Sequence, residues 1–260
     1  RGCFEYQHDQ PPAGTEMNES TLLQPDNRVI MISGASRGIG AAIAKQLASD
    51  GYSLSLGVRT PSSVNQLLTE MDQDRILVSR FEANEPATAI KWIEKTIDYF
   101  GKIDGLVNNA GILRQVNFEE GEEEDLDAMW AVNVKAPFRL IKHCLPFLRQ
   151  SKNGRIINIA STDGIRYRES VSVGYTMAKH ALVGLSHAAR FAGWDDGIRV
   201  TALCPGAVNT DLVAHLPGVT PSNQRLSPEV IASMVSVLLT LPNTASVSEM
   251  PINTRLESAL

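Results

Sequence analysis

The sequence has few cysteines, few aromatic residues and no long basic run, and these scarcities exclude several classes of function. Cys3, Cys144 and Cys204 are the only cysteines among 260 residues and stand outside CxxC or Cys/His zinc spacing. This argues against structural disulfides and a structural metal, and for a reduced, cytoplasmic setting. Twenty-four basic residues against 29 acidic ones leave a net charge of −5. With no basic run, nucleic acid and anionic membranes are disfavoured as partners and a small molecule is favoured. No segment approaches the roughly 20 apolar residues of a membrane span. Residues 1–27 are polar, lack the basic-then-apolar order of a signal peptide, and read as an N-terminal extension.

What the chain does have is 43% hydrophobic residues, enough for a full core in one domain over 28–260. Short, nearly unalternated apolar runs recur as "RVIMIS", "SLSLGV", "RILVSR", "IDGLVN", "GRIINIA" and "IRVTALC", with a last one near "SVSEMPIN". Such runs suit strands covered on both faces. Between them, helical periodicity predicts helices over about 37–50, 61–72, 85–100, 122–149, 174–194 and 228–241, the last with Ser227 as N-cap and Pro228 in its first turn. The alternation implies an α/β fold: a doubly wound, Rossmann-type parallel sheet of about seven strands with helices on both faces.

"ISGASRGIG", residues 32–40, follows the first run. In a doubly wound sheet the first strand-to-helix turn meets a phosphate with the helix N-terminus. Gly34 lets the chain leave the strand sharply, and Gly38 and Gly40, without Cβ atoms, let the backbone approach a pyrophosphate. Arg37 in this turn works against the helix dipole unless an anion is near. Arg59 ends the second run, where an NAD-selecting site carries a carboxylate for the ribose 2′-hydroxyl. Two arginines there suit a 2′-phosphate, so NADP(H) is expected ahead of NAD(H); surface solvation is the plain alternative for both.

"YTMAK" sets Tyr175 and Lys179 at i and i+4, on one helix face. A lysine ammonium beside a phenol stabilises the phenolate and is expected to lower its pKa from about 10. Ser161, ending the fifth run, falls at the same sheet edge as the glycine turn, where it would hydrogen-bond a substrate oxygen. On its own, Tyr-x-x-x-Lys is common by chance.

Taken together, "SGASRGIG", "NNAG" at 108–111, "NV" with Asn133, "INIAS", "YTMAK" and "PGAVNT" at 205–210 make residues 28 to 253 resemble the short-chain dehydrogenase/reductase family. The resemblance implies an oxidoreductase that interconverts an alcohol and a ketone or aldehyde. It makes Tyr175 the general acid/base, Lys179 a ligand of the nicotinamide ribose that depresses the Tyr175 pKa, Ser161 the group that polarises the carbonyl, and Asn133 the holder of a water linked to Lys179. The implied cofactor residues are Gly34, Ser36, Arg37, Gly38, Ile39 and Gly40 in the turn, and Arg59, Glu82 and Ala83 beyond it. Asn108, Ala110 and Gly111 would border the adenosine half; Pro205, Gly206, Val208 and Thr210 would position the carboxamide.

Some features depart from the family pattern. Ser33 stands for the commoner Thr, and Ser161 precedes Tyr175 by 14 residues where the family's usual interval is 13, which makes Thr162 the runner-up. The C-terminal "ASVSEMPINTRLE" lacks the family's Gly-rich ending. Family members pair helices equivalent to 122–149 and 174–194, implying a homodimer or homotetramer. Residues 211–226, with Leu212, His215 and Leu216, read as a short substrate lid. "EEGEEED" at 119–125 lacks calcium-loop spacing, the histidines are scattered, and Trp92, Trp130 and Trp194 read as core or interface residues. Arg166 or Arg168 is either solvated or a contact for an anionic substrate group. The competing reading of the whole chain is a dinucleotide-binding sensor or scaffold without turnover.

Overall fold

The apolar runs become β1 (Val29–Ser33), β2 (Ser53–Val58), β3 (Ile76–Arg80), β4 (Gly105–Asn108), β5 (Arg155–Ile159), β6 (Arg199–Pro205) and β7 (Glu249–Ile252) in a computed structural model that describes residues 22–167, 172–214, 216 and 219–254. They form one sheet in the order β3-β2-β1-β4-β5-β6-β7, and every pairing is parallel. The expected doubly wound fold is thus present. The order reverses between β1 and β4, and a ligand cleft belongs at the carboxyl ends of the strands flanking that switch.

Side chains alternate across each strand and divide the core. Ile30 and Ile32 of β1 pack with α1 (Gly38–Asp50) and α7 (Pro228–Thr240), through Ile43, Leu47 and Val235. Met31 faces the other layer, where Trp92 of α3 (Pro86–Phe100) and Leu140 of α5 (Ala136–Ser151) are buried. Ser227 caps α7 as expected, accepting the Val230 N–H. At the other end, Arg28 and Arg155, both buried, donate to the Leu239 and Leu241 carbonyls at 2.6 Å each. Those contacts satisfy carbonyls that a helix terminus leaves unpaired.

Two helix expectations need correction. The segment 61–72 is not one helix: a 3-10 turn at Pro61–Val64 runs into one α turn, α2 (Asn65–Leu68). Ser63 donates to the Thr60 carbonyl at 2.6 Å and Thr69 to the Gln66 carbonyl at 2.7 Å; such local bonds compete with helix propagation. The segment 122–149 is interrupted as well. After α4 (Glu123–Trp130) the chain widens into a π turn at Ala131–Lys135 before α5. Pro137 has no N–H for the carbonyl four residues back, which is that of Asn133, so the regular ladder cannot continue through this point. The tryptophans divide too: Trp92 is buried, whereas Trp130 and Trp194 are partly exposed, with the Arg199 guanidinium 3.8 Å from the Trp194 ring.

Candidate active site

A cleft of about 410 Å³ opens at the carboxyl edge of the sheet, within the size range of small-molecule sites. Its floor is the turn after β1. Gly34 and Gly38 have φ of 69° and 54°, the left-handed region that glycine occupies without strain. A Cβ on Gly34 would stand 2.9 Å from the Ala110 backbone. Gly40 has a different part from the one expected. A Cβ there would collide with the Gly34 carbonyl and lie 2.5 Å from Asn109 Nδ2, so its bareness closes the turn onto itself, and Gly40 does not line the cleft.

Ser33 ties this turn to the "NNAG" segment. Its hydroxyl accepts the backbone N–H groups of Asn109 and Ala110 at 3.0 and 3.1 Å. The Asn109 amide donates to the Ser33 and Gly34 carbonyls at 3.0 Å each. Asn108 does not reach the wall: it is buried and donates to Asn158, which donates in turn to Ser186, both at 2.8 Å. Asn109, unassigned in the sequence, faces the cleft in its place.

Ser36, Arg37, Ile39, Arg59, Glu82, Ala83, Ala110, Gly111, Pro205, Gly206, Val208 and Thr210 all line the cleft. The carboxylate of Asp211 lies 3.1 Å from the Arg37 guanidinium, and both side chains are exposed. Such a pair is weak in water, so an arriving phosphate can compete for Arg37. The described part of 211–226 contributes Leu212, Val213, Leu216, Val219 and Thr220; His215 lies outside the described residues.

At the other end of the cleft, α6 (Val173–Gly193) brings Tyr175 and Lys179 against the end of β5. The Lys179 ammonium donates to the Ile159 carbonyl at 2.7 Å, and its Nζ sits 5.5 Å from the Tyr175 ring centre. Asn133 bonds the Ile112 backbone twice, accepting its N–H and donating to its carbonyl at 2.9 Å each. Its Oδ1 lies behind Gly111, whose missing Cβ would be 3.3 Å away, with Lys179 Nζ at 3.8 Å. The π turn therefore places Asn133 beside Lys179, beneath the cleft surface. Ser161 lines the cleft, whereas Thr162 is buried and does not. Arg166 is half-buried and off the cleft wall; Arg168 lies outside the described residues.

Burial governs the titration of this end. It pushes the Tyr175 phenol above its ordinary value; the charge of Asp163 adds to the rise and a hydrogen bond with Ser161 opposes it. The expected lowered phenol is thus reversed in the free protein, because desolvation, with the charge of Asp163 beside it, outweighs the Ser161 hydrogen bond. Burial likewise brings Lys179 down to about 8, against the opposing pull of Cys204 and Asp163. Burial also raises the Cys204 thiol to about 11, which makes it a poor nucleophile. Among the described residues no cluster of His, Cys, Asp and Glu could hold a metal ion, and no helix is long and apolar enough to cross a membrane.

The sequence pattern of the family described as short chain dehydrogenase matches residues 28–218. An agropine synthesis reductase of Rhizobium rhizogenes is 39% identical over 220 residues, covering 84% of this chain and 50% of the relative; the chain thus spans about half the length of that protein. An alcohol dehydrogenase from the archaeon Thermococcus sibiricus, complexed with 5-hydroxy-NADP, superposes with a TM-score of 0.81 at 30% identity, covering 90% of this chain and 99% of its own. A 3-ketoacyl-(acyl-carrier-protein) reductase from Brucella melitensis, complexed with NADH, gives 0.80 at 26% identity, covering 87% and 96%.

The lowered Lys179 value carries a pH dependence. The ammonium is charged below about 8 and loses its charge as pH rises through that value, well short of the ordinary 10.4 or so. Fluorescence titration of a nicotinamide dinucleotide should show affinity falling across that window, and Lys179→Met should be weak and flat there. An affinity constant from pH 7 to 9.5 in the parent would contradict this role of Lys179.

Proposed function

The chain belongs to the short-chain dehydrogenases, and from that premise we propose that it is an NADP(H)-dependent oxidoreductase interconverting an alcohol and a ketone or aldehyde, with Tyr175 as its general acid/base. The observation that carries the reading is the enclosed end of the cleft, where a neutral phenol, a serine hydroxyl and a buried ammonium meet. Residues of the turn fit a nicotinamide dinucleotide: two glycines at positive φ, Gly34 before α1 and Gly38 at its first position, open a cradle, and the helix N-terminus attracts a pyrophosphate.

The cofactor, when bound, supplies or accepts the hydride. The residues of the chain manage the oxygen. Ser161 and Tyr175 would hydrogen-bond the carbonyl oxygen, orienting it and drawing charge onto it. As that oxygen gains electron density, the neutral phenol gives up its proton to it. A raised phenol pKa keeps the proton in place until then. Lys179, one turn along α6, favours the phenolate left behind. Asn133 anchors the loop at Ile112 through its side-chain amide and, near Lys179, would hold the water that links the ammonium to solvent. Tyr175→Phe should therefore abolish carbonyl reduction, by 100-fold or more, while cofactor affinity shifts little. Turnover within a few-fold of the parent would refute the assignment.

For the 2′-phosphate the support is Arg37 and Arg59 at the same end of the cleft. NADPH should bind more tightly than NADH, and Arg37→Ala with Arg59→Ala should erase most of the difference; equal dissociation constants in the parent would contradict it. Assembly into a homodimer or homotetramer is supported by exposed Trp130, Phe138 and Phe191 on α4, α5 and α6, at 44%, 54% and 81%. Light scattering would return a multiple of the chain mass, and a monomer mass at micromolar protein would remove it.

A further inference from the structure

Among the described residues the basic side chains that line the cleft are Arg37, Arg59, Lys179 and Arg114, and the reading above uses only the first three. Arg114 follows Leu113, which packs on the apolar cluster of Tyr175 and Met129. The segment that carries it is tied down along its length. Asn133 holds Ile112 by two hydrogen bonds, and the Arg114 N–H donates to Met129 Sδ at 3.4 Å. Two residues on, the Val116 N–H donates to Ser172 Oγ at 3.2 Å, and the same oxygen accepts the Tyr175 N–H at 3.2 Å. The Val173 N–H closes the junction on the Val116 carbonyl at 2.8 Å. One hydroxyl thus joins the Arg114 segment to the first turn of α6, which puts Arg114 at the Tyr175 end of the cleft.

The guanidinium is open to a new partner. Its ion pair with Asp125 is long, with Nε 3.7 Å from Oδ1, and the two side chains are 59% and 42% exposed. Such a pair is worth little in water. Asp125 lies in the first turn of α4, where the helix dipole favours a carboxylate with or without an arginine. An arriving anion therefore gives up little by taking Arg114. Leu212, Leu216 and Val219 line the same cleft; they can pack against a carbon chain but pair with no charge.

Resting on the carbonyl-reductase reading, we propose that Arg114 is a specificity residue that binds a carboxylate of the substrate a few bonds from the reacting carbonyl, so that keto acids and the matching hydroxy acids are the preferred substrates. On that reading the phosphates of the cofactor lie at the glycine turn, Arg37 and Arg59, and an anion at Arg114 belongs to the substrate. The planar guanidinium holds a carboxylate by two parallel N–H bonds. The substrate is then fixed at both ends, its oxygen at Ser161 and Tyr175 and its anion at Arg114, and fixing both ends orients the carbonyl for reaction.

The test compares acetoacetate, levulinate and the homologue one carbon longer with their methyl esters, which keep the chain and remove the charge. In the parent, with whichever of NADPH and NADH serves better, kcat/KM should favour at least one acid over its ester by about 10- to 100-fold. Arg114→Gln should erase that preference, mainly through KM, while turnover of the ester stays within a few-fold of the parent. Arg114→Lys, which keeps the charge without the fork, should recover part of it. Equal losses on acid and ester in Arg114→Gln would mean that Arg114 only braces its loop, and would overturn the proposal. So would a parent in which no acid exceeds its ester at any length, a comparison that needs no variant to fold. A parent that reduces no ketone or aldehyde with either cofactor would instead sink the carbonyl-reductase reading itself, and this one with it.

Discussion

The hydrogen bond from the buried Lys179 ammonium to the Ile159 carbonyl is the constraint on which the site depends. It fixes α6 to the end of β5, so that Tyr175, one turn earlier, is held beside Ser161. It also keeps a charge in a dry place, where desolvation, rather than the neighbouring side chains, sets protonation. The same burial acts in opposite directions on the two groups, raising the phenol and lowering the ammonium. The pair is poised with the phenol protonated and the lysine able to lose its charge near neutral pH. That is the form the proposed proton donor requires.

The sheet supplies the place for this arrangement. Because β1 and β4 are neighbours whose connections run to opposite sides, their ends part and leave a crevice. Ser33 spans it by accepting two amides from the "NNAG" segment, and Gly40 lets the turn fold over Asn109. The glycine turn and the Ser161, Tyr175 and Lys179 cluster thus share one sheet edge while being carried by different strands. At the opposite edge Arg28 and Arg155 secure the end of α7.

The strands and most helices were legible because apolar runs and periodicity are local properties. The cluster at the α6 end of the cleft was legible because its spacing is local too: Tyr175 and Lys179 share a turn, and Ser161 follows the end of a strand. What stayed hidden depends on contacts between distant segments. Arg37 meets Asp211 across 174 positions, so no local pattern announces a carboxylate at that arginine. The direction of the Tyr175 shift was misjudged because counting charges along a helix ignores desolvation. Asn108 is turned from the cleft and the unassigned Asn109 toward it, because adjacent residues at a strand end face opposite ways. Pro137 was the available sign that the helix through Asn133 would widen.

The central claim, a neutral phenol at Tyr175 in the free protein, is tested most directly by ultraviolet difference titration of the parent against Tyr175→Phe. The account predicts that no phenolate signal belonging to Tyr175 emerges below the ordinary tyrosine value of about 10. A phenolate titrating near pH 7 in the parent and missing from the variant would contradict it, and would make Tyr175 a resident base in place of a proton donor.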